Sequence, residues 1–283
     1  MVHDRESVAE LVRQQMDLFT ATERRAAHVL LANYPVVGLE TVAEFARRAS
    51  VSAPTILRFC ARIGFSGYPE FQKRLRDELD AQLQSPLAKK SVVPGAPFDP
   101  DHFLAGFHQA LHDNVTETFR HVSPGEFDAV AQLLSNLKQR IYIIGGRFTD
   151  AIARYTSAHL RVLRPGVVHM IGQYDNWRDQ LLDMERKDVL IVFDVRRYQD
   201  DVRTLAERAA ERGAIIVLFT DQWLSPIATY ARHTFAVRIS VPSNWDSGAA
   251  TVSLVEALIA ATTERLWPTA SQRIERLEKL RRG

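Results

Sequence analysis

VSAPTILRFCARIGFSGYPEF, Val51 to Phe71, decides how this 283-residue chain is organised. Ile56, Phe59, Cys60 and Ile63 fall at i, i+3, i+4 and i+7, which makes one apolar stripe along a helix. Val42, Phe45, Ala46 and Ala49 repeat that spacing in the preceding segment, Thr41 to Arg48, across a short break at Ser50-Val51-Ser52. Ser52 fits an N-cap, Pro54 the first turn, and Gly64 the C′ position that ends the helix. With Ile56, Phe59 and Ile63 turned to a core, Thr55, Arg58 and Arg62 are expected on the outer face. Two short helices in this arrangement are what a helix-turn-helix needs to enter the major groove. Ser52, Pro54, Thr55, Arg58 and Arg62 are the expected DNA contacts, with Lys73 on the phosphates. Arg58 has the reach for guanine O6 and N7.

Charge supports this. From Phe45 to Arg76 seven basic side chains face the single acid Glu70, a surplus of six, whereas the whole chain nets +2. The basic charge is concentrated where phosphates would lie.

From Thr20 to Leu79 the sequence resembles the N-terminal domain of the RpiR (MurR/RpiR) transcriptional regulators. TATERRAAHVLLANY is similar to their first helical region. TVAEFARRASVSAPTILRFCARIGFSGYPEFQKRL is similar to their regulator helix, recognition helix and aromatic tail, with Tyr68 where the family often has Phe.

The remainder reads differently. Ser85 to Asp101, SPLAKKSVVPGAPFDPD, holds four prolines and a glycine and is expected to be a stiffened linker between residues 1–84 and 102–283. Beyond it, helices are expected from His102 to Phe119 and from Ser123 to about Leu137. Short apolar runs then alternate with helical segments: Ile141–Gly145, Val167–Ile171, Asp188–Asp194, Ala214–Thr220 and His233–Ile239 read as strands. Asp150–Leu163, Asn176–Asp183, Asp200–Arg212 and Ser225–Ala231 read as helices between them. A long helix, Ser247–Leu266, and a tail helix, Ala270–Arg281, follow. This pattern predicts a five-stranded parallel sheet flanked by helices, an α/β fold after an all-α domain.

Ligands in open parallel sheets bind beyond the carboxyl ends of the strands. Three loops belong there: Gly145–Asp150, Asp194–Asp201 and Val241–Gly248. The first opens a helix, a setting suited to an anion, but holds neither GxGxxG nor a GKS or GKT loop. From Gln109 to about Leu266 the order of elements resembles the SIS domain, the sugar-isomerase module that RpiR regulators carry. That resemblance implies sugar-phosphate contacts from G-h-G-x-S and S-x-S-G-x-T loops. Here Gly145 matches, Arg147 replaces the second glycine and Thr149 the serine. Asp194 and Arg196 stand at the two serines, Arg197 at the glycine and Gln199 at the threonine.

The expected ligand residues are therefore Gly145, Gly146, Arg147, Thr149, Asp194, Arg196, Arg197 and Asp246. Three arrangements fit the substituted loops. The arginines form a retuned anion pocket, or Asp194 pairs with one of them and closes it, or they face solvent or another subunit. Trp245 and Asp246 lie in a loop at the same end. Glu256, inside an apolar helix, is a candidate partner for an arginine or a second subunit.

Other classes fit less well. His108 and His112 share a helix face without further metal ligands, so no metal or cofactor is expected. Cys60 is the sole cysteine and falls on the apolar stripe, which suits packing in a reducing cytoplasm. The N-terminal MVHDRESVAE lacks the apolar region of a secretory signal, and no apolar run approaches the roughly 20 residues of a membrane span. Asp150, Asp194, Asp246 and Glu256 are candidate acids or bases by position only. The reading is a regulator rather than an enzyme: a homodimer or homotetramer that binds double-stranded operator DNA and senses a small anionic metabolite, such as a sugar phosphate or sugar acid. The alternatives are a phosphosugar isomerase, or a DNA-binding protein whose second domain only dimerises.

Overall fold

The sequence folds into a helical unit followed by a layered α/β unit, in a computed structural model that describes residues 6–83, 99–172 and 174–282. The helical unit holds α1 (Val8–Gln14), α2 (Ala21–Ala32), α3 (Val36–Leu39), α4 (Val42–Arg48), α5 (Ala53–Arg62) and α6 (Tyr68–Leu83). Capping boxes start two of these helices. Ser7 and Glu10 cap each other's backbone on α1, and Thr20 and Glu23 do so on α2. The predicted apolar stripes meet in one core, with Phe45, Ile56, Phe59, Cys60, Ile63 and Phe71 all buried. Phe59 packs against Phe19 and Phe45 with ring centroids 5.3 and 6.4 Å away. Cys60 lies in that core, and burial pushes its thiol up to about 12.

The second unit begins with α7 (Pro100–His121) and α8 (Pro124–Ser135). α7 starts two residues before the expected His102. Asp99 caps it by accepting from Asp101 N and His102 N, and Pro100 occupies the first turn. Only the last three residues of the expected linker, 99–101, fall within the described residues.

Strands β1 (Ile141–Gly145), β2 (Val167–His169), β3 (Val189–Asp194), β4 (Ile215–Asp221) and β5 (His233–Val237) form one parallel sheet in the order β2-β1-β3-β4-β5. α9 (Asp150–Leu163), α10 (Tyr174–Leu182), α11 (Asp200–Glu211) and α12 (Ala249–Arg282) cover it. The strand period of two sorts the apolar runs onto two faces. Ile141, Ile143, Val189, Ile191, Val217 and Phe219 pack with α8, α9 and α12. Tyr142, Ile144, Leu190, Val192, Ile216 and Leu218 pack with α10 and α11. Burial on both faces is why these strands read as continuous apolar runs rather than as alternation.

Two helical expectations change. The long helix and the tail helix are one element, α12, which continues through Pro268. Leu266 and Ala270 are both buried on either side of that proline, and their packing carries the helix past the missing hydrogen bond. Ser225–Ala231 is not an α-helix but a short 3-10 turn, Pro226–Thr229, capped by the Ser225 hydroxyl.

The two units touch through α1 and the residue before its cap, through α2 against the Pro226–Thr229 turn, and through Ala81 of α6. Arg238, just past β5, places Nη1 2.6 Å from Glu10 Oε1, with both side chains buried. His121 Nε2 lies 2.9 Å from Glu6 Oε1. No helix among the described residues is long and apolar enough to cross a membrane.

Candidate functional sites

The turn between α4 and α5 is a complete Schellman motif. Ser50 N–H bonds Arg47 O, Val51 N–H bonds Ala46 O, and Ser50 takes φ +51°. α5 ends the same way, with Gly64 at φ +102°, as its sequence predicts. Ser50 holds a left-handed conformation that favours glycine. Ser50→Gly is therefore expected to raise stability by about 0.5–1 kcal/mol, seen as a higher Tm.

Of the three residues expected on the outward face of α5, Arg58 and Arg62 are exposed and Thr55 is turned in. Ser52 is the N-cap residue, but its hydroxyl pairs with Thr55 Oγ1 at 2.9 Å instead of a backbone N–H. Thr55 is buried rather than outward, and it accepts from Arg58 Nη2 at 3.1 Å. Arg62 turns back to α2, where Nε lies 3.3 Å from Glu23 and Nη1 donates to Leu18 O. Pro54, Leu57, Arg58, Ala61 and Arg62 form the exposed surface, Arg62 with its side chain 44% exposed, and Arg58 has no acidic partner among the described residues. Lys73 is exposed and pairs with Asp77 at 2.8 Å, a surface contact that a phosphate can replace.

At the carboxyl ends of the strands the three predicted loops do converge. They border a cavity of about 510 Å³ whose lining includes Phe148, Thr149, Arg196, Arg197, Trp245 and Asp246. Gly145, Gly146, Arg147 and Asp194 are not part of that lining. The two glycines permit close approach: a Cβ on Gly145 would meet the Asp150 backbone N at 2.5 Å, and one on Gly146 would meet Gln199 Oε1 at 2.5 Å. Thr149 Oγ1 accepts from Gly146 N at 2.7 Å and donates to Phe193 O at 2.7 Å. Arg147 N donates to Gln199 Oε1 at 2.7 Å.

Asp194 does not pair with an arginine. It is buried and accepts from the Ser225 hydroxyl, and burial raises its carboxyl to about 6. Such a raised carboxyl adds stability that is complete below its unfolded value, about pH 4, and is lost as pH rises through about 6. Asp194→Asn is expected to flatten that loss, by an amount of order 2 kcal/mol, in urea unfolding compared at pH 4.5 and pH 7.5.

Arg196 pairs with Asp246. Its side chain is 7% exposed, Nε lies 3.2 Å from Asp246 Oδ2, and the guanidinium sits 4.5 Å over the Trp223 ring. Nη1 is buried without a hydrogen-bond partner. Arg196 and Arg197 take φ +24° and +59°. The second is where the SIS resemblance implies glycine, so an arginine here occupies a left-handed position. Glu256 faces outward and accepts from the Tyr155 hydroxyl at 2.7 Å, not from an arginine.

Asp221, at the end of β4, escaped the sequence reading. It is fully buried, and its carboxylate accepts from Arg196 N at 2.7 Å, Tyr198 OH at 2.8 Å and Trp223 N at 2.9 Å. Burial raises its pKa, opposed by these donors. The available signal was that β3 and β4 both end in aspartate, LIVFD and IVLFTD.

A family model for the rpiR-family helix-turn-helix domain matches residues 6–82, and one for the SIS domain matches residues 133–261. The chain belongs to the RpiR family. An uncharacterized HTH-type transcriptional regulator of Haemophilus influenzae is 27% identical over 217 residues, 75% of this chain and 73% of that protein. Among solved structures, the sugar isomerase domain of an RpiR transcription factor from Sphaerobacter thermophilus matches with TM-score 0.56 and 22% identity, over 62% of this chain and 97% of that one. The Vibrio vulnificus NanR protein complexed with ManNAc-6P matches with TM-score 0.55 and 17% identity, over 95% of this chain and 96% of that one. These two likenesses establish the fold. This RpiR protein is thus an HTH-type regulator with a SIS domain, in agreement with the motifs from Thr20 to Leu79 and with the predicted five-stranded parallel sheet.

Proposed function

We infer that this protein reads an operator with α5 and adjusts that reading to a small anion held in the strand-end cleft. The exposed surface of α5 carries the first half of the inference: Pro54, Leu57, Arg58 and Ala61 face outward on a helix held by a buried aromatic core. Arg58 is placed for a guanine edge and Leu57 for a thymine methyl, while Lys73 is placed for a phosphate. Ser52 and Pro54 lie at the end of α5 that enters the groove in such motifs, and Thr55 and Arg62 serve by holding Arg58 and α2.

The cleft supports an effector rather than a reaction. Asp194 and Asp221 are buried in hydrogen bonds to their own loops, and Asp246 is paired with Arg196. None is positioned as a general base for an isomerase. Arg196, Arg197 and the amino end of α12 make the cleft electropositive. NanR holds ManNAc-6P, and an anionic effector here is in keeping with that.

Arg238 links cleft and reader. Its neighbour Ile239 lines the cavity, and its Nη1 contacts both Glu10 of α1 and Gln222 at 3.2 Å. Gln222 lies between Asp221 and Trp223, which hold Arg196. Effector bound unequally by two positions of this loop shifts α1 and with it the reading unit. The exposed apolar start of α7, with Phe103 and Leu104 outward, supports a homo-oligomer, as do the paired half-sites that such readers use. A cytoplasmic location follows from a DNA partner.

The test is titration of the intact protein onto the duplex upstream of its own gene. Saturable binding that weakens steeply with salt, and exceeds binding to a scrambled duplex, supports the reading. Equal binding to both duplexes at every salt concentration removes it.

A further inference from the structure

We propose that the cleft takes an amphipathic carboxylate, an organic acid with an aryl or branched alkyl body, and not a phosphorylated sugar. The proposal rests on the reading of the cleft as an effector site and names the class of effector.

The donors that a phosphate needs are already engaged. Phosphate carries up to two charges and several strong acceptor oxygens, and it is held by a cluster of amides and hydroxyls. In this chain Gly146 N bonds Thr149 Oγ1, Arg147 N bonds Gln199 Oε1, and Arg196 N bonds Asp221 Oδ2. The Thr149 hydroxyl is given to Phe193 O. The chain's own oxygens, from Gln199, Asp221 and Thr149, fill the cradle from within.

Among the side chains that border the cavity, Arg196 carries a buried donor that no group of the chain meets. Arg196 is over nine-tenths buried and borders the cavity, and its Nη1 has no hydrogen-bond partner. A buried guanidinium nitrogen without a partner is costly unless a ligand meets it. Asp246 offsets much of the Arg196 charge, so the cleft's positive potential comes from Arg197 at its edge and from the amino end of α12, and suits a monoanion better than a dianion.

The walls give the rest of the ligand. Phe148 and Trp245 meet edge to face at 5.8 Å and are 65% and 59% exposed, an unusual state for two large rings. Ile152, Ile239 and Val252 extend this apolar surface, and Asn244, Ser247 and Thr251 border it on the side of α12. Sugar hydroxyls laid on the side formed by Phe148, Trp245 and Ile152 would lose water without gaining partners, whereas an aryl or branched alkyl group there loses nothing. The cavity, about 510 Å³, matches a small organic acid.

The experiment follows tryptophan emission of the intact protein during titration with phenylacetate, benzoate and 4-methylvalerate, and with glucose 6-phosphate. At least one carboxylate is expected to change the emission saturably. Its methyl ester is expected to do nothing, and glucose 6-phosphate to neither bind nor compete. Arg196→Gln is expected to weaken carboxylate binding by about tenfold or more. Because that variant removes a buried ion pair, Ile152→Glu serves as the second. It places a like charge on the apolar wall and is expected to abolish binding while leaving duplex binding intact.

Failure of all three carboxylates to bind overturns the proposal, as does glucose 6-phosphate displacing them or unchanged affinity in Ile152→Glu. Duplex binding, measured on the same preparation, separates the two inferences. Specific duplex binding without carboxylate binding ends this proposal alone. Carboxylate binding without specific duplex binding ends the operator reading alone.

Discussion

Asp221→Asn is expected to lower the unfolding free energy by about 3 kcal/mol, with no change in m-value, in urea denaturation near neutral pH. The loss comes from three donors that share one buried carboxylate. Tyr198 OH and Trp223 N both point at Oδ1, and Arg196 N points at Oδ2. Asparagine keeps an acceptor on one side only. If its oxygen faces Tyr198 and Trp223, its amide nitrogen opposes the Arg196 N–H, and two donors meet without an acceptor. If it is flipped, its amide nitrogen opposes the Trp223 N–H, and the Tyr198 hydroxyl must turn from donor to acceptor. The site is fully buried, so water cannot substitute. The same variant frees the left-handed turn at Arg196 and Arg197, which Asp221 holds in place, and effector affinity is expected to fall with stability. A neutral result in urea would show that the carboxylate is not what organises the loop.

Arg238→Ala is expected to cost about 3–5 kcal/mol, the usual penalty for removing one partner of a buried ion pair. Glu10 is buried, and without Arg238 its charge keeps only hydrogen bonds from the Ser7 backbone N–H and hydroxyl and the nearby charge of Arg13. The effect is larger than the pair's own net worth because the surviving charge is stranded. It also has a second signature. The Arg238–Glu10 pair and the His121–Glu6 contact join α1 and the residue that precedes its cap to the SIS unit, so the variant is expected to unfold in two urea transitions where the parent unfolds in one. Duplex binding is expected to persist but to stop responding to effector. Retained response in Arg238→Ala would place the coupling elsewhere.

Elements were more legible in the sequence than side-chain directions. β1 and α9 begin and end where the apolar pattern places them, because both sheet faces are buried and Gly145 and Asp150 punctuate the run. The turn before α5 was legible for the same reason: Ser50 to Ser52 breaks two stripes of equal period. The tail was less so, since a proline inside a helix reads as a stop and only the burial of Leu266 and Ala270 carries α12 through Pro268.

The sites follow the same division. Periodicity placed Arg58 outward, and the structure agrees. It placed Arg62 outward as well, and that side chain is exposed although it reaches back to Glu23. Thr55 was also placed outward, but a hydroxyl that turns in to Ser52 is governed by its partner, which periodicity does not encode. In the cleft, the substituted loop from Asp194 to Gln199 announced a changed site. The pairing did not follow from it, because Asp246 lies about fifty residues downstream of Arg196 and Ser225 meets Asp194 only once β4 is laid beside β3. Asp221 was invisible because an aspartate after an apolar strand looks like an ordinary loop residue until three donors converge on it.

The most direct test of the account is the specificity ratio of Arg58→Ala, its affinity for the duplex upstream of its own gene relative to a scrambled duplex at one salt concentration. Arg58 is the exposed, long donor on α5 without an acidic partner among the described residues. The account predicts a ratio lowered by about ten- to a hundredfold, the worth of one bidentate base contact, with scrambled-duplex binding nearly unchanged. A ratio equal to that of the parent protein would contradict it.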